Sequence, residues 1–444
     1  MPLDELELRV LNFVQDHLLI PPGSKVLVAL SGGMDSVCLL SVLLNIRQKI
    51  GFEIAAAHLN HMIRPTAARD EEFVKQLCKE FNVELYVEKF DVLAFCKQEK
   101  VGIEEGARIV RYQFLEKVRK KSSSDLIALA HNLNDLVETM VHRVVRGTGL
   151  TGLVCMKSKD GAKIRPLLYT TREEIESYVH RKSLPYVEDE TNYDLTYTRN
   201  YIRHKVIPLL KQMNPNLENT LKQLHFSSIL LEKHVTRILE NAKVVKLTDR
   251  MVFSIEGCDE FEIVEILKYC AESFGVCLAF RQIEDFLKSI GKTSFSLRVA
   301  DDLWLKKGFE FVSVEKTKEI VSFLELSEFG VYNFNGWIFK LSDKVESKQW
   351  IELEKGKSFI RTRRPGDKIG KVKLKDLMID SKIPEFLRNE YPIVCSNDKI
   401  IWIPYVYKSE EQKGCGIFLN LIFDPYECIL KMENRERRKR FERR

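Results

Sequence analysis

The run Val26-Leu27-Val28-Ala29-Leu30 carries no polar side chain and passes directly into Ser31-Gly32-Gly33-Met34-Asp35-Ser36. A short, continuously apolar, β-rich segment suits a strand buried on both faces of a parallel sheet. Two adjacent glycines permit a tight turn and a close approach of backbone to a ligand. Val37 to Leu44 then reads as a helix, with Asp35 or Ser36 available to cap it. A strand, a glycine turn and a helix N-terminus aim main-chain N–H groups and the helix dipole at one point, which makes an anion site. No Lys follows the glycines, so the loop is not a Walker A loop. A second stretch, Ser289-Ile290-Gly291-Lys292-Thr293, lacks the earlier glycine of that motif because Phe286 stands there, and it is set aside.

The rest of the first 215 residues repeats the same alternation. A leading helix occupies residues 1 to 20 and ends at Pro21-Pro22-Gly23. Further strands are expected at Glu53 to His58, Val83 to Val87 and Asp125 to Ala130. The helices between them run over about Ala67 to Phe81 and Glu104 to Lys121, and another spans Asn134 to Val145. Strands alternating with helices predict an α/β fold with a doubly wound parallel sheet. The polar clusters Ser31 to Ser36, His58 to Arg64 and His131 to Glu138 each follow a strand, at the edge where such sheets bind ligands. His58 and His61 have no further Cys/His pairing at ligand spacing, which favours a nucleotide-contacting or capping role over a metal site.

At 444 residues the chain is too long for one ordinary domain. A helical and mixed middle region is expected over 216–330, with helices near Leu217 to Ala242, Glu260 to Phe274 and Arg281 to Ile290. A small basic α+β domain is expected over 350–430, and a basic tail too polar to pack over 431–444. Phe359, Phe386, Tyr391, Ile401, Trp402 and Ile403 would form the core of the small domain. The chain's formal charge is only +6, yet Lys357 to Arg388 alone holds ten basic residues against four acidic ones. Basic side chains around the Pro365-Gly366 turn suit contact with a phosphate backbone. The N-terminus has no basic leader and no apolar run reaches bilayer length, so neither a signal peptide nor a membrane span is expected. Ten cysteines without a C-x-x-C read as reduced, cytoplasmic thiols.

The loop resembles the Ser-Gly-Gly-x-Asp-Ser pyrophosphate loop of the ATP pyrophosphatases, which split ATP into AMP and pyrophosphate while adenylating a substrate. A more specific resemblance lies in a series of short motifs. These are His58-Leu59-Asn60-His61-Met62-Ile63-Arg64, Asp70-Glu71-Glu72-Phe73, Gly106-Ala107-Arg108-Ile109-Val110-Arg111-Tyr112 and Arg146-Gly147-Thr148-Gly149-Leu150. Arg165-Pro166-Leu167-Leu168, Glu188-Asp189-Glu190-Thr191-Asn192 and Tyr197-Thr198-Arg199-Asn200-Tyr201-Ile202-Arg203 follow in order. Together they are similar to the tRNA(Ile)-lysidine synthetase family over about residues 20 to 215, and the similarity resumes near Arg361.

That resemblance implies an enzyme that adenylates the carbonyl oxygen of the wobble cytidine in the CAU anticodon of tRNA(Ile). Free L-lysine then displaces AMP and leaves lysidine. It implies ATP contacts at Ala29, Ser31, Gly32, Gly33, Asp35, Ser36 and His58, with Mg²⁺ near Asp35. It implies reaction-centre roles for Asp35, Arg111, His131 and Asp135. Lysine carries two ammonium groups, and Asp135 and Glu138, three apart on one helix face, would bind it. Transfer RNA would be held at Arg199, Arg203, Arg363, Arg364, Lys373 and Lys375. The family pattern departs at His131-Asn132-Leu133-Asn134-Asp135-Leu136-Val137-Glu138-Thr139, where Asn134 replaces an Asp and Leu136 a Gln.

Two other functions fit the same loop. A tRNA thiolase needs thiol chemistry, often from paired cysteines, and Cys38, Cys78, Cys96 and Cys155 form no such pair in sequence. A non-catalytic nucleotide-binding or RNA-binding protein would not need the complete loop. Oligomeric state, including a homodimer, is left open.

Overall fold

The structure, a computed structural model, describes residues 3–63, 66–188, 198–353, 357–410 and 415–427. Arg64, the motif residues from Asp189 to Tyr197 and the basic tail lie outside them. The chain divides into two compact units, Met1–Lys233 and His234–Arg444.

Unit 1 opens with α1 (Glu5–Asp16), β1 (Lys25–Ala29), α2 (Met34–Ile50), β2 (Glu53–Asn60), α3 (Ala67–Glu80) and β3 (Glu84–Lys89). It continues through α4 (Val92–Glu99), α5 (Ile103–Lys121), β4 (Leu126–Ala128) and α6 (Leu133–Arg146). A short hairpin, β5 (Lys159–Asp160) and β6 (Lys163–Ile164), precedes α7 (Arg172–Arg181). The sheet order is β3-β2-β1-β4-β6-β5, with β1, β2, β3, β4 and β6 joined by parallel pairings and β5 antiparallel at the edge. Val26 and Val28 face a core shared with α1, α2 and α7, whereas Leu27 faces the opposite core, formed with Phe114, Leu115 and Val118 of α5. That two-sided burial is why the strand carries no polar alternation. Chain order reverses between β1 and β4, so the loops that follow them flank the crevice where open α/β sheets bind ligands.

The cap of α2 differs from expectation. Gly33 is its N-cap and makes no side-chain cap bond, while Asp35 and Ser36 lie inside the first turn. Ser36 Oγ instead donates to the Gly33 carbonyl at 2.8 Å and accepts from Ser31 Oγ at 3.1 Å, tying the loop to the helix start.

After α8 (Thr198–Tyr201), a π-helical turn over Ile202–Val206 and α9 (Ile207–Met213), the long α10 (Leu217–Asn241) runs from the first unit into the second. The mixed region beyond it contains a five-stranded antiparallel sheet that the sequence reading did not resolve. Its strands are β7 (Val244–Lys246), β8 (Arg250–Ser254), β9 (Ser294–Arg298), β10 (Leu303–Gly308) and β11 (Phe311–Lys316), in spatial order β7-β8-β11-β10-β9. Helices α11 (Glu260–Glu272) and α12 (Phe280–Leu287) pack on it, and Phe286 is fully buried there.

The basic region folds around further antiparallel sheets and the helices Leu374–Asp380 and Glu385–Arg388. Tyr391, Trp402 and Ile403 are fully buried in its core, with Phe359, Phe386 and Ile401 packed half-buried against it. Val252 and Phe311 of the middle sheet belong to the same core. Arg250 reinforces that union by pairing with buried Glu315 and Glu390. Unit 2 therefore contains most of the region expected at 216–330, from His234 onward, together with the region expected at 350–430. The boundary of unit 1 falls within α10, not near residue 215. A shared core and a buried charge cluster produce no change in composition along the chain.

Candidate active site

The loop after β1 is built for close backbone approach. Gly32 has φ +89°, and a Cβ there would meet Val187 Cγ2 at 3.0 Å. A side chain at this position would face both a left-handed backbone and a wall. Val187 N–H donates to the Gly32 carbonyl at 3.0 Å, and Gly33 N–H donates to Ser31 Oγ at 3.3 Å, so the turn is fixed from two sides. His58 braces it from β2: its Nδ1–H donates to the Leu30 carbonyl at 2.9 Å. Burial holds the His58 pKa below the usual imidazole range, so the ring stays neutral.

Asp35 lies near Asp135, Asn132, Arg172 and Arg203. Burial, with the nearby Asp135 charge, raises its carboxyl to about 6, partly offset by Arg172, Arg203 and the Asn132 side chain. Its Oδ1 is buried without a hydrogen-bond partner among the described residues. A buried, unsatisfied carboxylate oxygen beside a phosphate-type loop is a place for a cation that arrives with its ligand. The residues therefore fit Mg²⁺ bound together with a nucleotide.

Across the crevice, the stretch after β4 presents His131, Asp135 and Glu138. Asn132 caps α6: its Oδ1 accepts from Asp135 N–H at 3.0 Å, and Asp135 Oδ2 accepts from Asn132 N–H at 3.1 Å. This capping box orients Asp135. Arg165, itself buried, donates from Nε to His131 Nδ1 at 3.2 Å and from Nη1 to the Lys157 carbonyl at 2.7 Å. Burial first, then the charges of Arg165, Arg199, Arg111 and Arg108, push the His131 pKa down to about 3. His131 is neutral, and because Nδ1 accepts, its proton resides on Nε2. The ring offers a hydrogen-bond donor within an arginine-rich field, an arrangement that suits an oxyanion.

Asp135 and Glu138 share one face of α6, as their spacing implied, but both are already paired. Arg199 donates from Nη2 to Asp135 Oδ1 at 3.0 Å and from Nε to Glu138 Oε2 at 2.9 Å. Arg203 donates from Nε to Glu138 Oε1, and from Nη2 to Glu138 Oε2 at 3.0 Å and Asp135 Oδ1 at 3.5 Å. Two arginines expected from the resemblance to contact RNA thus pair with the carboxylates. The two departures in this motif have structural roles. Leu136 is fully buried in the core with Leu133, Val137 and Met140, and Asn134 Oδ1 accepts from Arg172 N–H at 2.9 Å at the start of α7. Arg108, Arg165 and Arg172 carry no role expected from the sequence, although Arg108 and Arg165 lie within motifs shared with the family.

Unit 2 carries a separate basic site. A cleft of about 600 Å³ is lined by Arg363, Arg364, Lys368, Lys373, Lys375 and Asn389 among others. Arg361 forms a bidentate pair with Asp367 at 2.8 and 2.9 Å, and Asp367 also accepts from Arg364 N–H at 2.7 Å. This closes the turn at Gly366 (φ +91°) and leaves Arg364, Lys373 and Lys375 exposed. Asn389 Oδ1 accepts from Arg363 Nε at 2.9 Å.

The regions that carry the two sites each match a known protein family. The family model described as the PP-loop domain matches residues 2–210, and the TilS substrate C-terminal domain matches residues 359–416. A tRNA(Ile)-lysidine synthase of Pseudothermotoga lettingae is 52% identical over 445 aligned residues, spanning 99% of this chain and 100% of that protein. The chain belongs to the tRNA(Ile)-lysidine synthase family. Another member, from Thermotoga maritima, is 36% identical across 88% of this chain and 94% of its own length. One from Clostridium perfringens is 33% identical across 89% and 93%. The parallel-sheet unit is accordingly a PP-loop, ATP-binding fold. Among the described residues no helix is long and apolar enough to cross a membrane.

Proposed function

We infer that this chain is a ligase that forms lysidine on tRNA(Ile) at the expense of ATP. The observation that carries the reading is the pairing of a complete pyrophosphate loop with the carboxylates Asp135 and Glu138 across one sheet crevice, in a chain 52% identical end to end to a tRNA(Ile)-lysidine synthase. In the first step the cytidine C2 carbonyl oxygen bonds to the α-phosphorus of ATP as the bond to pyrophosphate breaks. In the second, a lysine amine bonds to C2, the C2–O bond breaks, and AMP departs with that oxygen while the amine loses a proton.

The loop from Ala29 to Ser36 cradles the departing pyrophosphate with main-chain N–H groups. Asp35 would hold Mg²⁺, which would offset charge on the phosphates. His58 fixes the loop through the Leu30 carbonyl and bounds the nucleotide site. His131 donates from Nε2 to an oxygen of the adenylate, and Arg111, with Arg108 and Arg165, offsets its negative charge. Being neutral and protonated on Nε2, His131 is a donor and not the base for the amine. Asp135 and Glu138 bind an ammonium of L-lysine. The cleft around Arg364, Lys373 and Lys375 holds the tRNA backbone.

Thiolation is disfavoured chemically as well as by family. Burial raises the thiols of Cys38 and Cys155, and lifts that of Cys78 to about 11, so none of the three offers a ready thiolate. Incubation with ATP, radiolabelled lysine and a tRNA(Ile) bearing a CAU anticodon, followed by nucleoside analysis, tests the reading. Label must appear in the wobble nucleoside with stoichiometric AMP release; AMP release without label transfer would refute lysine ligation.

A further inference from the structure

The carboxylates of the lysine seat are engaged by Arg199 and Arg203, and the four charges sum to zero. A neutral seat has no net field to draw in an ammonium. Two forked guanidiniums held in the same chain also outmatch one compact ammonium for these oxygens. Glu138 is 2% exposed and remains in place, whereas the arginine side chains are 33% and 23% exposed. The partners on the solvent side are therefore the arginines. Arg199 lies on the four-residue α8, and Arg203 lies in the π-helical turn that follows it. Such turns are uncommon and recur at functional sites. Phosphate is the other ligand to which a guanidinium fork is matched, and two substrates of this reaction carry it.

We propose that Arg199 and Arg203 latch the lysine seat closed until a substrate phosphate draws them off Asp135 and Glu138, so that lysine binds after the phosphate-bearing substrate. The latch rests on the assignment of Asp135 and Glu138 to lysine. It would keep free lysine out of the crevice until there is something for it to attack.

Equilibrium dialysis of radiolabelled lysine against the full-length protein tests it in three arms: protein alone, with an ATP analogue uncleavable between the α- and β-phosphates, and with a CAU-anticodon tRNA(Ile) transcript. Lysine affinity is expected to rise about tenfold or more in at least one phosphate-bearing arm, because apparent affinity scales with the unlatched fraction. The responding arm identifies whether nucleotide or RNA opens the latch. Arg203→Gln, alone and with Arg199→Gln, should bind lysine more tightly than wild type without any phosphate ligand and should lose most of the response. Equal affinity in all three wild-type arms overturns the latch without recourse to any variant. Unchanged or weaker lysine binding by variants that still melt cooperatively overturns it too. The underlying assignment is checked separately with Asp135→Asn and Glu138→Gln in the presence of tRNA and analogue. Lysine affinity unaffected by those changes places the seat elsewhere. Affinity lost there, with flat phosphate arms, removes the latch alone.

Discussion

Replacing Asp35 by Asn is expected to stabilise the unliganded protein while disabling it, with a pH dependence that follows from the crevice. Burial beside Asp135 raises this carboxyl from 3.8 to about 6 in the folded chain. A carboxyl that ionises less readily when folded opposes folding once it is charged. The penalty is absent below pH 3.8, grows as pH rises through about 6, and is complete above that. At about 1.4 kcal/mol per pH unit, the penalty at pH 8 is at most about 3 kcal/mol. D35N should therefore unfold at higher urea than wild type at pH 8, and at nearly the same urea at pH 4. All four tryptophans (Trp304, Trp337, Trp350 and Trp402) lie in unit 2, so their fluorescence serves as an internal control. Far-UV circular dichroism follows the helix-rich unit 1. In the same protein, tRNA-dependent AMP release should fall by about a hundredfold or more, and Mg²⁺-ATP should no longer raise the melting temperature. A stability difference that is independent of pH, or a D35N chain less stable at pH 8, would refute the description of Asp35 as a carboxyl whose charged form is penalised by burial.

Asp135→Asn and Glu138→Gln should raise the lysine KM by roughly ten- to a hundredfold, the worth of a charged hydrogen bond, and affect adenylation less; an unchanged lysine KM in both would remove them from the lysine seat. Neutralising Arg363, Arg364, Lys373 and Lys375 together should weaken tRNA binding and flatten its salt dependence by roughly 0.7–0.9 log units per lost contact. Parallel slopes in a filter-binding titration would make the cleft a solvated face. Arg250→Met leaves Glu390 and Glu315 buried with lysines as their charged partners among the described residues and should destabilise unit 2 by about 3 kcal/mol. The tryptophan transition should then move to lower denaturant, and its failure to move would show that the cluster contributes nothing to stability.

The order of residues alone was enough for much of unit 1, for a local reason. A strand buried on both faces must be apolar throughout, a phosphate turn needs glycine, and a three-residue spacing places Asp135 and Glu138 on one helix face whatever surrounds them. The Arg361–Asp367 turn is equally local. The partners of Asp135 and Glu138 were not legible, because Arg199 and Arg203 meet them from more than sixty residues away. Nothing in the sequence between them encodes that distance. The capping box of α7, Thr171 with Glu174, was present in the sequence and unread. The β-rich middle region was obscured because its strands are short and flanked by strongly amphipathic helices. The union of that region with the basic one depends on a shared core and on the buried Arg250 cluster, whose members lie up to 140 residues apart. Local chemistry is written in neighbouring residues; which charges neutralise one another, and which surfaces share a core, is decided only when the chain closes on itself.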